Sequence, residues 1–193
     1  GTLIEELPFL RFDIEIENES MQIQSFLFGG YNLENALAAS SVGMYFGLNK
    51  DEIKQGIEQY IPKNGRSQIL KTAYNELIID AYNANPSSMQ VSLESFARSK
   101  ALSKLYILGD MLELGSYSET EHQKIIDKLV ELGASQVYLV GYCFAKTKYP
   151  TTFKSFLSIQ ECKLYLQNHR ILNHQILLKA SHGIHLENIL DVL

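Results

Sequence analysis

From Ile69 onward the sequence alternates short apolar runs with longer segments whose apolar residues recur at helical spacing. Strands are expected at Leu77–Asp80, Leu105–Leu108, Val137–Val140 and Ile176–Lys179, with a weaker one near Thr152–Phe156. The intervening helices carry start signals. Asn85 followed by Pro86 pairs a capping side chain with a residue that needs no amide partner. Ser118 with Glu121, and Ser158 with Glu161, have capping-box spacing. Gly133 suits the end of the helix that buries Ile125, Leu129 and Leu132. Such alternation implies right-handed crossovers and an α/β fold with a mostly parallel, doubly wound sheet.

Residues before this region read differently. Phe12, Ile14 and Ile16 alternate with polar neighbours, as do Met21 and Ile23, with Asn18-Glu19-Ser20 between them. That is a β-hairpin with one buried face. No partner strand for it is evident, and a lone hairpin is marginal in water, so it should pack on something. A small-residue helix follows Gly29-Gly30-Tyr31-Asn32, with Asn32 as its expected cap, and Asn49 with Glu52 opens a second helix. Pro62-Lys63-Asn64-Gly65-Arg66 is the clearest break in the chain, and a domain boundary is expected there, between 1–66 and 67–193.

In an open parallel sheet, ligands bind at the carboxyl ends of the strands. Here those ends carry Asp80-Ala81-Tyr82-Asn83, then Gly109-Asp110-Met111-Leu112-Glu113, then Gly141, then Lys179-Ala180-Ser181-His182. One rim therefore gathers Asp80, Asp110, Glu113, Lys179, Ser181 and His182. Lys179 suits a carboxylate and the acids suit an ammonium, so a zwitterionic ligand fits. Asp110 either meets a ligand or caps the next helix. Glu113 is either a ligand contact or a solvated charge. His122 reads as a surface residue. His182 and His185 read as loop residues, with no further metal ligand evident nearby, and no metal site is expected.

Several chemistries are absent. The sequence has no G-x-G-x-x-G, no G-x-x-x-x-G-K-[ST] and no G-x-S-x-G. A dinucleotide fingerprint, a phosphate-cradling loop and a hydrolase elbow are thus not encoded. The formal net charge of -5 over 193 residues gives no pull toward nucleic acid or an anionic membrane. No apolar run nears the roughly 20 residues of a membrane span. Cys143 and Cys162 lack metal-ligand spacing and read as two buried or free thiols in a reducing cytoplasm.

The stretches Gly30-Tyr31-Asn32-Leu33-Glu34-Asn35-Ala36, Asn64-Gly65-Arg66-Ser67-Gln68, Asp80-Ala81-Tyr82-Asn83-Ala84-Asn85-Pro86 and Leu108-Gly109-Asp110-Met111-Leu112-Glu113-Leu114-Gly115 together resemble the Mur ligases, and more loosely so does Lys179-Ala180-Ser181-His182-Gly183. The resemblance is to the members that add D-alanyl-D-alanine. It implies the end of a central ATPase domain followed by a C-terminal Rossmann-like domain. The missing phosphate loop and the unpaired hairpin fit a fragment, inactive by itself and without a certain catalytic residue. The implied reaction is ATP-driven amide formation between UDP-MurNAc-tripeptide and D-Ala-D-Ala through an acyl phosphate. It belongs to peptidoglycan precursor synthesis in the cytoplasm, and a monomer is expected. By resemblance, Asn32 and Asn35 hold the adenine, Arg66 the phosphates and Asp80 the ribose. Tyr82, Asn83 and Ser181 face the reacting end; Asp110, Glu113 and Lys179, read from their place on the rim, are further candidate substrate contacts. Mg²⁺ would bridge ATP through ligands expected mainly outside this chain. Two departures stand out: the family usually has Gly-Ser-Arg where this chain has Ala180-Ser181-His182, and Tyr31 replaces a frequent His. A neutral His does not replace an Arg fork. The alternative is a stand-alone Rossmann-like nucleotide-binding or regulatory module without catalysis.

Overall fold

The computed structural model describes every residue except Glu17 and Asn64. Asn64 of the expected joint thus lies outside the described residues. The chain divides into two compact units, Gly1–Lys63 and Asn64–Leu193. The division falls slightly before residue 66 because the residues after Asn64 bond onward: Tyr82 N donates to Gly65 O, and Ser67 N donates to Asp80 Oδ1.

In the first unit, β1 (Thr2–Glu5), β2 (Arg11–Ile16) and β3 (Glu19–Gln24) form an antiparallel sheet in that order. The hairpin is β2 and β3, and it is not unpaired. β1 runs along β2, with Leu3 opposite Phe12. This corrects the expectation of a lone hairpin, which therefore lends nothing to a fragment. β1 escaped notice because all four of its residues are exposed, so it has no buried face and no alternation. Helices α1 (Asn32–Tyr45) and α2 (Lys50–Gln59) follow. Phe12, Ile14, Ile16 and Ile23 pack with Ala36 and Ile53. Asn49 makes the expected capping box with Glu52. Asn32 does not cap α1. It is the first helical residue, and its Nδ2 donates to Phe28 O at 2.8 Å.

The second unit is a six-stranded sheet of β4 (Gln68–Lys71), β5 (Glu76–Asp80), β6 (Lys104–Gly109), β7 (Val137–Val140), β8 (Lys154–Phe156) and β9 (Gln175–Lys179). The order is β4-β5-β9-β6-β7-β8. Only the β4–β5 pairing is antiparallel. The mostly parallel sheet is the fold expected from the alternation. β9 returns to the middle, between β5 and β6, so the last strand in sequence lies beside the strand that ends in Asp80.

Period-two alternation sends Leu77, Ile79, Leu105, Ile107, Ile176 and Leu178 to one face. There they pack against Ile159, Cys162 and Leu166 of α6 (Ile159–Asn168) and against Leu186 and Ile189. Ile78, Tyr106, Leu108 and Leu177 alternate with these and are also buried. They face the side of α3 (Pro86–Ala97) and α4 (Ser118–Glu131), where the Phe96 ring meets Tyr106 edge-on at 4.8 Å. Each fully buried Leu or Ile contributes about 1.5–3 kcal/mol. The strands read as unbroken apolar runs because both faces are covered.

Asn85 caps α3 as expected, accepting from Ser88 N at 2.9 Å with Pro86 next in line. Ser158 caps α6 through Glu161 N. Ser118 does not cap α4. A 3₁₀ turn, Gly115–Tyr117, leads straight into the helix, so Ser118 already has helical backbone and Tyr117 precedes it without a side-chain cap. Gly133 ends α4 at φ +69°. Among the described residues no helix is long and apolar enough to cross a membrane.

Candidate functional site

The carboxyl ends of β5, β9, β6 and β7 lie side by side on one rim. Register places Asp80 beside Lys179, and Lys179 beside Leu108. Lys179 Nζ is 2.5 Å from Asp80 Oδ2, and Lys179 is only 2% exposed. The other Asp80 oxygen accepts from Ser67 N at 3.3 Å. Lys179 is therefore paired with Asp80. A buried ammonium needs such a partner, and β9 provides one by lying against β5.

Beyond Asp80 the chain turns outward. Tyr82 is exposed; the Arg66 guanidinium carbon stands 3.8 Å over its ring centroid, and the His182 ring stacks at 5.9 Å. His182 in turn meets His185 at 5.5 Å. A cation over a tyrosine face is worth roughly 0.5–1 kcal/mol when exposed. Asn83 is exposed, and its Oδ1 accepts from Ala84 N at 2.8 Å.

The loop after β6 is tied down at three consecutive residues. Asp110 is 3% exposed, and its two oxygens accept from Cys143 N and Phe144 N, both at 2.9 Å. It caps α5 (Tyr142–Ala145), not the next helix in sequence as one expectation had it. Gly141, at φ +124°, brings the α5 amides against the carboxylate. A Cβ there would stand 2.2 Å from Asp110 Oδ2. Met111 N donates to His122 Nε2 at 3.0 Å, and Leu112 N donates to Ser181 Oγ at 2.9 Å. Ser181 Oγ also lies 3.3 Å from Ala84 O, and Ser181 N donates to Asp110 O. Glu113 is exposed, in the left-handed region at φ +66°.

The structure thus brings Asp80 to Lys179, Arg66 to Tyr82, and Asp110 and Ser181 to one stitched loop. Asn32 and Asn35 belong to the first unit, where Asn35 Nδ2 donates to Asn32 Oδ1 at 3.1 Å. His122 corrects the surface expectation: it is fully buried on the apolar face of α4. Nothing in the sequence signalled that the Ser67 amide would meet Asp80 or the Cys143 amide Asp110. For His122 a signal existed, since it precedes Ile125 by three residues and Leu129 by seven.

Asp110, His122 and Cys143 place possible ligand atoms within 4.8 Å of one another. His122 Nε2 and both Asp110 oxygens already accept main-chain protons. Burial pushes the Cys143 thiol above its ordinary range, keeping it protonated. The trio is a hydrogen-bond hub.

The family model "Mur ligase, glutamate ligase domain" matches residues 65–161. A curated UDP-N-acetylmuramoyl-tripeptide–D-alanyl-D-alanine ligase from Treponema pallidum is 37% identical over 122 residues, covering 62% of this chain and 26% of that protein. The protein of the same name from Buchnera aphidicola is 29% identical over 189 residues, covering 95% and 40%. A crystal structure of MurF from Acinetobacter baumannii superposes with TM-score 0.85 at 28% identity, covering 99% of this chain and 45% of that one. MurF ligase from Thermotoga maritima, in complex with ADP, shares the fold with TM-score 0.81 at 20% identity, covering 100% and 44%. The chain spans 26–40% of the length of these two curated relatives.

Proposed function

Since the chain belongs to the Mur ligase family, we propose that it supplies the nucleotide- and dipeptide-facing part of a ligase that adds D-Ala-D-Ala to UDP-MurNAc-tripeptide. The observation that carries this reading is the rim on which Asp80–Lys179, Arg66–Tyr82 and Ser181–Leu112 converge, in a sheet that follows a MurF structure over 99% of the chain. The reaction is proposed for a protein of the relatives' full length. ATP phosphorylates the terminal carboxylate of the tripeptide. The dipeptide amine attacks the acyl phosphate, and the tetrahedral intermediate releases phosphate. Rate acceleration in such a step comes chiefly from positioning and charge stabilisation. Mg²⁺ bridging the nucleotide would neutralise its phosphates, and we assign none of its ligands to this chain.

We assign residues 1–66 to the end of the ATPase domain and 67–193 to the C-terminal domain. Asp80 meets the ribose hydroxyls, with Lys179 and the Ser67 amide holding its carboxylate. Arg66 reaches the phosphates from its place over Tyr82. Tyr82, Asn83, Glu113 and Ser181 face the dipeptide. Asp110 acts by fixing the loop that carries Glu113. The setting is cytoplasmic peptidoglycan synthesis, with consequences for cell shape and division, and the protein acts as a monomer.

The test is a ligation assay with the full-length protein, UDP-MurNAc-tripeptide, D-Ala-D-Ala and ATP, read by mass spectrometry. ATP-dependent pentapeptide is expected, and Asp80→Ala should raise KM for ATP. Nucleotide hydrolysis without dipeptide incorporation would overturn the assignment. The 193 residues alone should make no pentapeptide, because they encode no phosphate-cradling loop.

A further inference from the structure

A string of hydrogen bonds crosses the strand ends, from Ala84 O to Ser181 Oγ to Leu112 N, and the neighbouring Met111 N continues it to His122. The far side of the His122 ring decides its chemistry. Nδ1 is 2.7 Å from Ser118 O, which can only accept, so the ring proton sits on Nδ1. Nε2 keeps its lone pair and accepts the Met111 amide. The ring is fully buried, with the Phe144 ring edge-on at 4.6 Å, so no water replaces that acceptor. Asp110 Oδ1 stands 3.7 Å from Nε2 without being bonded to it.

We propose that His122 is a positioning residue for the candidate site. Its Nε2 holds the Met111 amide and so keeps Leu112 on Ser181. Without that acceptor the Met111 amide is stranded in a buried site, and the 111–113 loop separates from Ser181. The inference deepens the proposed function and rests on it only where it speaks of the dipeptide: loss of the acceptor should weaken capture at Ser181.

The test is nitrogen-15 NMR with hydrogen exchange on the 193-residue chain, in the wild type, His122→Gln and His122→Leu. Gln places an acceptor where Nε2 stands, and Leu does not. Expected in the wild type are a proton on Nδ1, none on Nε2, and a protected Met111 amide. In His122→Gln the Met111 amide should stay protected. In His122→Leu exchange at Met111 and Leu112 should quicken about tenfold or more. A proton found on Nε2 in the wild type, or equal protection of Met111 in the Gln and Leu variants, overturns the proposal. In the full-length protein, His122→Leu should raise KM for D-Ala-D-Ala and His122→Gln should restore it. Protection as expected in a protein that makes no pentapeptide would uphold the positioning role and sink the ligase reading instead.

Discussion

Lys179 Nζ and Asp80 Oδ2 meet at 2.5 Å across two parallel strands that are almost a hundred residues apart in sequence. The pair exists because β9 inserts between β5 and β6. It sets the direction of the Asp80 carboxylate, whose second oxygen receives the Ser67 amide. The nucleotide-facing role proposed for Asp80 therefore depends on a lysine that need not touch ligand.

Lys179→Met should cost about 3–5 kcal/mol, because it strands a carboxylate in a largely dry site. The double variant Lys179→Met/Asp80→Asn should recover part of that loss, since no unpaired charge remains. Urea denaturation measures both. A single variant within about 1 kcal/mol of wild type would mean that the pair is loose in solution.

Gly141 and Gly133 both have positive φ, yet their substitutions should differ. At Gly133 nothing lies within 4 Å of an added Cβ, so Gly133→Ala should cost about 1 kcal/mol from backbone strain. At Gly141 the added carbon would meet Asp110 Oδ2 at 2.2 Å. Gly141→Ala should cost at least about 2 kcal/mol more, by displacing a buried carboxylate from its amides. Equal losses in thermal unfolding would show that Asp110 does not hold α5.

Asp110→Asn keeps the shape and turns one acceptor into a donor facing an amide. We expect about 1–3 kcal/mol of destabilisation. Hydrogen exchange should quicken at Cys143 or Phe144 but not at Cys162 in α6. Uniform quickening through the sheet would mean global loosening instead.

The strands of the second unit were legible because each is a short, doubly buried apolar run. Asn85-Pro86 marked the start of α3 because capping is local chemistry. β1 and β4 were not legible, being four residues each and with no buried residue. Ser118 misled because a 3₁₀ turn runs into α4 without a break. The rim was foreseeable from the direction of the strands. Its partnerships were not, since they depend on strand order, which no local pattern encodes. Asp110 could be seen as a cap or a ligand contact, and only the fold shows that the helix it caps follows β7. The burial of His122 was written in its spacing from Ile125 and Leu129, but a polar residue on that stripe was read by its chemistry rather than its position.

Stability should also fall on the alkaline side, for a reason located in the core. Burial pushes the Cys162 thiol up to about 12 from 9.0, and the Tyr106 and Tyr138 phenols up to about 12 from 10.0. Each group is neutral when protonated, so the folded protein holds protons that the unfolded chain would release. The folded state therefore binds more protons than the unfolded one above pH 9, and stability declines as pH rises. It is fully present below the unfolded values and lost as pH climbs through the folded ones. Each group adds a slope of up to about 1.4 kcal/mol per pH unit. The thiol acts first and the phenols join one unit later. Cys162→Ala should lower stability at neutral pH through the cavity it leaves, yet flatten the first part of the decline. Urea midpoints between about pH 8 and about pH 11 read this directly. An early slope that is the same with and without the thiol would mean that Cys162 ionises in the folded protein as freely as in the unfolded chain.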